Sequence, residues 1–261
     1  IRRPPRSTLS SSSAASDVYK RQRKYIIINK HLSYLVYMTK NSFFILNIAS
    51  FALFNFVGCN SYDVGNYDSL AYRPSNPNKV RVKVSLQNSA IYVLEENKPL
   101  LITATCIGKN ESPTPLGSFR AYNKLPRKRS NTYGFHVTSS GIVPGRRDMT
   151  PKGSKYVGYP MPYWVEFKSG YGFHSGYVHP VPKTHGCLRI NQNVAPKFFA
   201  LVRPGTPIEI NDSFPEDLTI GKNIRRPQDY KDPDPPRSYL ISDKYFDDLE
   251  RKGDLFEKDP L

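Results

Sequence analysis

Two short runs hold the residues best suited to covalent chemistry, Gly172-Phe173-His174-Ser175 and Thr184-His185-Gly186-Cys187-Leu188-Arg189-Ile190. A cysteine attacks as its thiolate, and needs a base or positive charge nearby to bring its pKa down from about 8.5. Histidine is the usual partner, with its second ring nitrogen oriented by a third group. Cys187 and His174 fit those two roles, and Ser175 is placed to orient the histidine through its side chain or backbone. Gly186 lets a substrate carbonyl approach backbone N–H groups that would stabilise an oxyanion. Arg189 offers two parallel N–H donors for a substrate carboxylate. The same run has a second reading: His174, His179, His185 and Cys187 are N and S ligands at short spacing, as in zinc sites. Against it stand the prolines between them and the lack of a second cysteine pair; the chain has three cysteines. A Cys106–Cys187 disulfide would silence the nucleophile, so Cys106 is expected as a packed small residue. His136 and His179 read as ordinary loop histidines, and Tyr163-Trp164 as core packing.

The elements that must hold these residues are strands. Val80, Val82 and Val84 alternate with Arg81, Lys83 and Ser85, and the apolar runs Ala90–Leu94 and Leu100–Thr105 follow after short turns. This spacing predicts a β-meander, and helical periodicity is nearly absent from 79 to 175. One helix is expected over Asn193–Val202, stopped by Pro204-Gly205, before a closing strand at Pro207–Ile210. The stretch Leu125–Pro162, rich in Gly, Pro, Ser, Lys and Arg, reads as a long loop or an insertion.

Around the Cys–His pair the chain resembles the L,D-transpeptidase catalytic domain family (YkuD-like), whose hallmark is a Ser/Thr-His-Gly-Cys motif downstream of a histidine. The match is Thr184-His185-Gly186-Cys187, with His174 upstream. Gly108 followed by Pro113-Thr114-Pro115-Leu116-Gly117-Ser118-Phe119, and Pro204-Gly205-Thr206-Pro207, are also similar to the family, so the resemblance spans 79–210. It implies a mainly β, β-sandwich-like fold with one short helix after the catalytic motif. It implies, too, a thiol acyl-transfer enzyme acting on peptidoglycan stem peptides without cofactor or metal. In that reading Cys187 is the nucleophile, His174 the general base, Ser175 its neighbour, and the backbone at Gly186 and Cys187 the oxyanion hole. Arg189 would position the donor peptide, with Thr184 and His185 beside it. The implied reaction attacks an L-to-D peptide bond, releases D-alanine and passes the acyl group to an acceptor amine. Cross-linking of stem peptides, attachment of a protein to the wall, and trimming by water share that chemistry. A catalytically idle wall-binding lipoprotein is the alternative of another class; the intact His174/Cys187 pair argues against it. Nine residues separate His174 from Thr184, which suggests a trimmed loop over the site.

The chain has 261 residues and a formal net charge of +16, a balance that invites a nucleic-acid reading. Much of it lies at the start. Residues 1–37 contribute +7 and read as translated sequencing adapter, with DVYKRQ at Asp17–Gln22, followed by upstream DNA. Such segments are set apart from fold reasoning. Residues 38–58 read as a lipoprotein-type signal peptide. Lys40 precedes 15 uncharged, mostly apolar residues at Phe43–Val57, too few for a membrane span of about 20. Gly58-Cys59 then makes Cys59 the expected lipidation site. Residues 59–78 read as a tether, and 211–261, net −4, as an acidic Pro/Asp-rich tail with a possible short helix near Ser242–Arg251. The remaining +12 on 59–210 suits an anionic polymer outside the cytoplasm, hence cell wall before nucleic acid. The protein is therefore expected to be exported to the periplasm and membrane-anchored.

Overall fold

A computed structural model of the chain describes residues 67–251 and 253–258. Residues 1–37, the signal 38–58 and Cys59 lie outside the described residues. Ten strands form two mixed sheets of five. The first sheet has the order β3-β2-β1-β10-β4, from β1 (Val80–Ser85), β2 (Ala90–Glu95), β3 (Lys98–Ala104), β4 (Gly117–Arg120) and β10 (Pro207–Asn211). The second is β6-β5-β7-β8-β9, from β5 (Asn123–Thr138), β6 (Gly141–Arg146), β7 (Lys155–Lys168), β8 (Tyr171–Ser175) and β9 (Leu188–Ile190). The fold is mainly β, as expected.

Alternation explains the first sheet. Val80, Val82 and Val84 are buried while Arg81 and Lys83 stay half-exposed, as a period of two requires of a strand with one covered face. β2 is different: all six of its residues are buried. Ile91 and Val93 face the main core, while Ala90, Tyr92 and Leu94 form a second cluster under Ile102 and Ile224. A chain segment beyond β10 therefore covers the outer face, which is why this strand has no polar side.

The main core lies between the sheets. Phe173 of β8 packs on Phe198 (ring centroids 4.6 Å apart) and on Phe167 (5.4 Å). Phe198 comes from α1 (Ala195–Leu201), the helix that carries the chain from β9 back to β10. Each such ring contributes about 1.5–3 kcal/mol by leaving water. The segment after β3 stitches the sheets together: Cys106 and Arg189 exchange backbone hydrogen bonds of 3.0 and 3.1 Å.

Three regions depart from the sequence expectations. The stretch 125–162 is not a loop; it forms most of β5, β6 and β7, with β5 paired to β7 from Asn123↔Glu166 to Val137↔Lys155 across one register shift. Backbone pairing holds this arm, and much of β5 is exposed on both faces, so no apolar alternation marks it. Residues 67–78, expected as tether, pack on the domain: Tyr67 and Ala71 join the core, and Tyr67 Oη lies 3.2 Å from Thr103 Oγ1. Tyr67, Leu70, Ala71 and Tyr72 sit in an otherwise polar run, and their spacing shows no period. Beyond β10 the tail is built onto the domain. Asp217 accepts from Tyr92 Oη (2.6 Å) and Ser85 Oγ (2.8 Å), and Lys83 pairs with Glu216 at 2.6 Å. Two short helices follow, α2 (Arg237–Ile241) and α3 (Lys244–Leu249), held by Arg129 donating to the carbonyls of Leu240 (3.0 Å), Ile241 (3.2 Å) and Ser242 (2.8 Å).

Candidate active site

β8 and β9 run parallel at one end of the second sheet, in the register Phe173↔Leu188, His174↔Arg189, Ser175↔Ile190. Phe173 and Leu188 point into the core. Side chains alternate across a strand, so His174 and Arg189 share the opposite face, and Cys187 enters the strand on that side. This one pairing closes the sequence distance between His174 and Cys187.

His174 is 5% exposed, with Trp164 beside it at 6.2 Å between ring centroids. Gly172 makes room for that indole: a Cβ there would sit 2.7 Å from the Trp164 ring. His174 Nδ1 lies 2.8 Å from the backbone oxygen of Ser175. A carbonyl only accepts, so Nδ1 carries the proton and Nε2 presents a lone pair. Ser175 thus acts on the histidine through its backbone. Burial, helped by the charge of Arg189, pushes the imidazole pKa down to about 4.

Cys187 is half-buried and not in a disulfide. Its Sγ lies 3.7 Å from the carbonyl oxygen of Gly170 in the β7–β8 turn. Burial pushes the thiol pKa up, opposed by the Gly172 N–H and by Arg189. Burial thus disfavours the charged form of both groups, imidazolium and thiolate, in place of the depressed thiol that a cysteine nucleophile leads one to expect. Glu166 steadies the turn under the sulfur, accepting from the Gly170 N–H (3.1 Å), Asn123 Nδ2 (3.1 Å) and Trp164 Nε1 (3.3 Å).

The turn 184–187 is wired internally. Thr184, 2% exposed, accepts from the Gly186 N–H (3.1 Å) and donates to the Cys187 carbonyl (2.6 Å). Thr114 donates to the Gly186 carbonyl (3.0 Å) and accepts from the Gly108 N–H (3.0 Å). The Pro-Thr-Pro motif thus serves as a strut under the cysteine turn. Gly186 has φ +101°, and a Cβ there would lie 2.5 Å from the Tyr171 ring, so only glycine fits. The Gly186 N–H is thus taken by Thr184 within the turn and is not an open donor for an oxyanion.

His185 is exposed and stacks on Tyr133 of the β5 arm, centroids 4.4 Å apart and planes at 17°. Arg189 is half-exposed, its chain passing over Gly176, and its charge reaches both His174 and Cys187. Among the described residues no carboxylate pairs with it. No three His, Cys, Asp or Glu side chains converge among the described residues; His179 instead packs against Tyr230 at 5.5 Å. Cys106 is a buried free thiol, 1% exposed. His136 is buried on β5 with Nε2 2.7 Å from the Arg146 carbonyl, and Trp164 packs inside at 2% exposure. Tyr133, Glu166 and Tyr171 were not legible as neighbours of the Cys187 turn. Tyr171 alone had a local signal, since it precedes the glycine of the first run.

The chain matches the family model described as the L,D-transpeptidase catalytic domain over residues 79–210, half of its length. No curated protein sequence matches it. Among solved structures it is similar to an L,D-transpeptidase of Stackebrandtia nassauensis (18% identity, 60% of this chain and 63% of that one, TM-score 0.39). The catalytic domain of the Enterococcus faecium L,D-transpeptidase aligns at 24% identity over 51% of this chain and 96% of that one, TM-score 0.37. L,D-transpeptidase 1 of Mycobacterium tuberculosis aligns at 26% identity over 51% and 58%, TM-score 0.35. The chain spans less than two thirds of the Stackebrandtia and Mycobacterium proteins it matches.

Proposed function

Because this chain belongs to the L,D-transpeptidase catalytic domain family, we propose that it is a cysteine-dependent acyltransferase acting on peptidoglycan stem peptides. One observation supports this most directly: the Ser175 carbonyl holds His174 in the tautomer whose Nε2 is free to take a proton, on the strand paired with the one Cys187 enters. Nε2 removes the thiol proton as Sγ attacks the carbonyl carbon of the L-to-D peptide bond. A neutral starting pair avoids holding a thiolate in a partly buried site, so charge develops only as attack proceeds. The Cys187 N–H donates to the oxyanion. The C–N bond breaks, the imidazolium returns its proton to the departing D-alanine nitrogen, and a thioester remains. An acceptor amine then attacks the thioester, gives its proton to His174, and expels the thiol, which recovers that proton. Arg189, which pairs with no carboxylate among the described residues, provides a guanidinium on the same face for a donor carboxylate.

The same proposal makes the protein an exported, periplasmic lipoprotein anchored through Cys59, which rests on the sequence of 38–59. Among the described residues no helix is long and apolar enough to cross a membrane. Incubating residues 60–261 with disaccharide-tetrapeptide and following the products by mass spectrometry tests the chemistry. Cross-linked dimer with loss of one D-alanine identifies a transpeptidase, and tripeptide alone a carboxypeptidase. No product and no adduct on Cys187 would leave a wall-binding protein instead.

A further inference from the structure

The two catalytic strands leave the second sheet side by side, and one carboxylate joins their exits. Asp229 Oδ1 accepts from the Val178 N–H, just past β8, at 3.2 Å, and Oδ2 accepts from Asn191 Nδ2, the residue after β9, at 2.9 Å. Asn191 Oδ1 in turn accepts from the Asn193 N–H (2.8 Å), and its carbonyl receives the Ala195 N–H that opens α1 (2.9 Å). Asp229 is 7% exposed and Asn191 2%. Asp229 lies beyond the 79–210 match, on the tail, whose path here is fixed by Tyr177 Oη donating to the Pro233 carbonyl at 3.2 Å.

Among the described residues no cation pairs with this buried carboxylate. Burial pushes its carboxyl pKa up, so the group is costly to keep and is a poor device for stability alone. What it does geometrically is specific. β9 has three residues, and its last rung to β8 is the bond from the Gly176 N–H to the Ile190 carbonyl (2.9 Å). The Cys106–Arg189 exchange holds the middle of β9 from its other edge, but beyond Ile190 a pairing that short leaves the two exits without a further rung unless something ties them.

We propose that Asp229 is a positioning residue for the acyl transfer: by tying the exits of β8 and β9 it fixes the His174 imidazole against the Cys187 thiol. The tail is thereby part of the catalytic apparatus. This rests on His174 and Cys187 being base and nucleophile as proposed above.

A reciprocal exchange in the full chain tests it. In Asp229→Asn the new carboxamide still accepts from Val178, but its amide faces the Asn191 amide, donor against donor. In Asn191→Asp two carboxylates face each other. The double variant, Asn191→Asp with Asp229→Asn, restores every donor–acceptor pair, because a carboxylate at 191 still accepts from the Asn193 N–H. Each single variant is expected to acylate disaccharide-tetrapeptide about 10- to 100-fold more slowly, the cost of a displacement near 1 Å, with KM little changed. The double variant should return to within about threefold of wild type. Arg129→Ala, which frees the tail helices away from these exits, should stay within about twofold. Single variants that fold and acylate at the wild-type rate would overturn the proposal, as would a double variant no faster than the singles. Alkylation of Cys187 by iodoacetamide across pH 5–9 reads the same geometry without any peptide substrate. The singles should lose the His174-dependent reactivity and the double regain it; an unchanged profile overturns the proposal. A wild type that alkylates normally yet never acylates would sink the stem-peptide reading and leave the positioning role to the alkylation result.

Discussion

The two sheets have five strands each and spend them differently. In the first, β2 is buried throughout and β1 buries its valines, and polar groups on these strands are met by the tail, as at Tyr92–Asp217 and Lys83–Glu216, or by the segment before β1, as at Glu95–Ser75. In the second, β5 and β6 lie largely in solvent, and the buried positions of β8 include a histidine and a serine. Apolar packing holds the first sheet and the β7–β9 side of the second on their shared core, whereas the β5–β6 arm is held by backbone pairing. A platform therefore sits behind a site, and damage to each should show in a different measurement.

The largest separation should come from Cys187→Ala. Turnover is expected to fall on the order of 10⁴-fold or more, while the unfolding midpoint in denaturant stays within about 1 kcal/mol of wild type. A large stability loss would make the cysteine structural and blur the division between the sheets. Leu100→Ala, in the core side of β3, should do the reverse. It should cost about 2–5 kcal/mol of stability while the folded fraction keeps its acylation rate.

The third test uses pH. His174 titrates at about 4 when folded against an ordinary 6.5, so between those values the unfolded chain holds the proton that the folded chain refuses. Stability from this group is intact above pH 6.5 and falls as pH drops toward 4, by about 3 kcal/mol in all. The difference in unfolding free energy between wild type and His174→Gln, followed from pH 7 to 4, should carry that slope. A flat difference would put the imidazole in contact with water. Smallest is Tyr133→Ala, which removes the stack on His185, worth about 1 kcal/mol. Acylation should change less than about fivefold; a loss as large as that of His174→Gln would bring the β5 arm into the chemistry.

Legibility in the sequence followed the same division. β1 announced itself because one buried face imposes alternation, and the Thr184–Arg189 run did so because its residue types stand together in one short motif, although many of its contacts are to distant segments, Ile107–Lys109, Thr114 and Gly170 among them. β5 and β6 were hidden because strands so largely exposed need no apolar period, and β7 because the buried positions of its first half are Gly158, Pro160 and Pro162. Its prolines and glycines look like loop composition until the partner strand is known. Thr114 was recognisable as part of a motif, but its service as a strut depends on Gly186, 72 residues away. Asp229 has no local signature at all, since its partners lie 51 and 38 residues back.

By itself the sequence determined the mainly β class, the edges of the meander, and the motif that places a cysteine and a histidine in the family's pattern. Each of these is encoded in residue types at short spacing, where steric period and side-chain reactivity act locally. The tertiary structure alone decided the tautomer of His174, the preference of both groups for their uncharged forms and the incorporation of the tail. Those depend on burial and on hydrogen bonds between distant segments, which exist only once the two sheets have closed on their core.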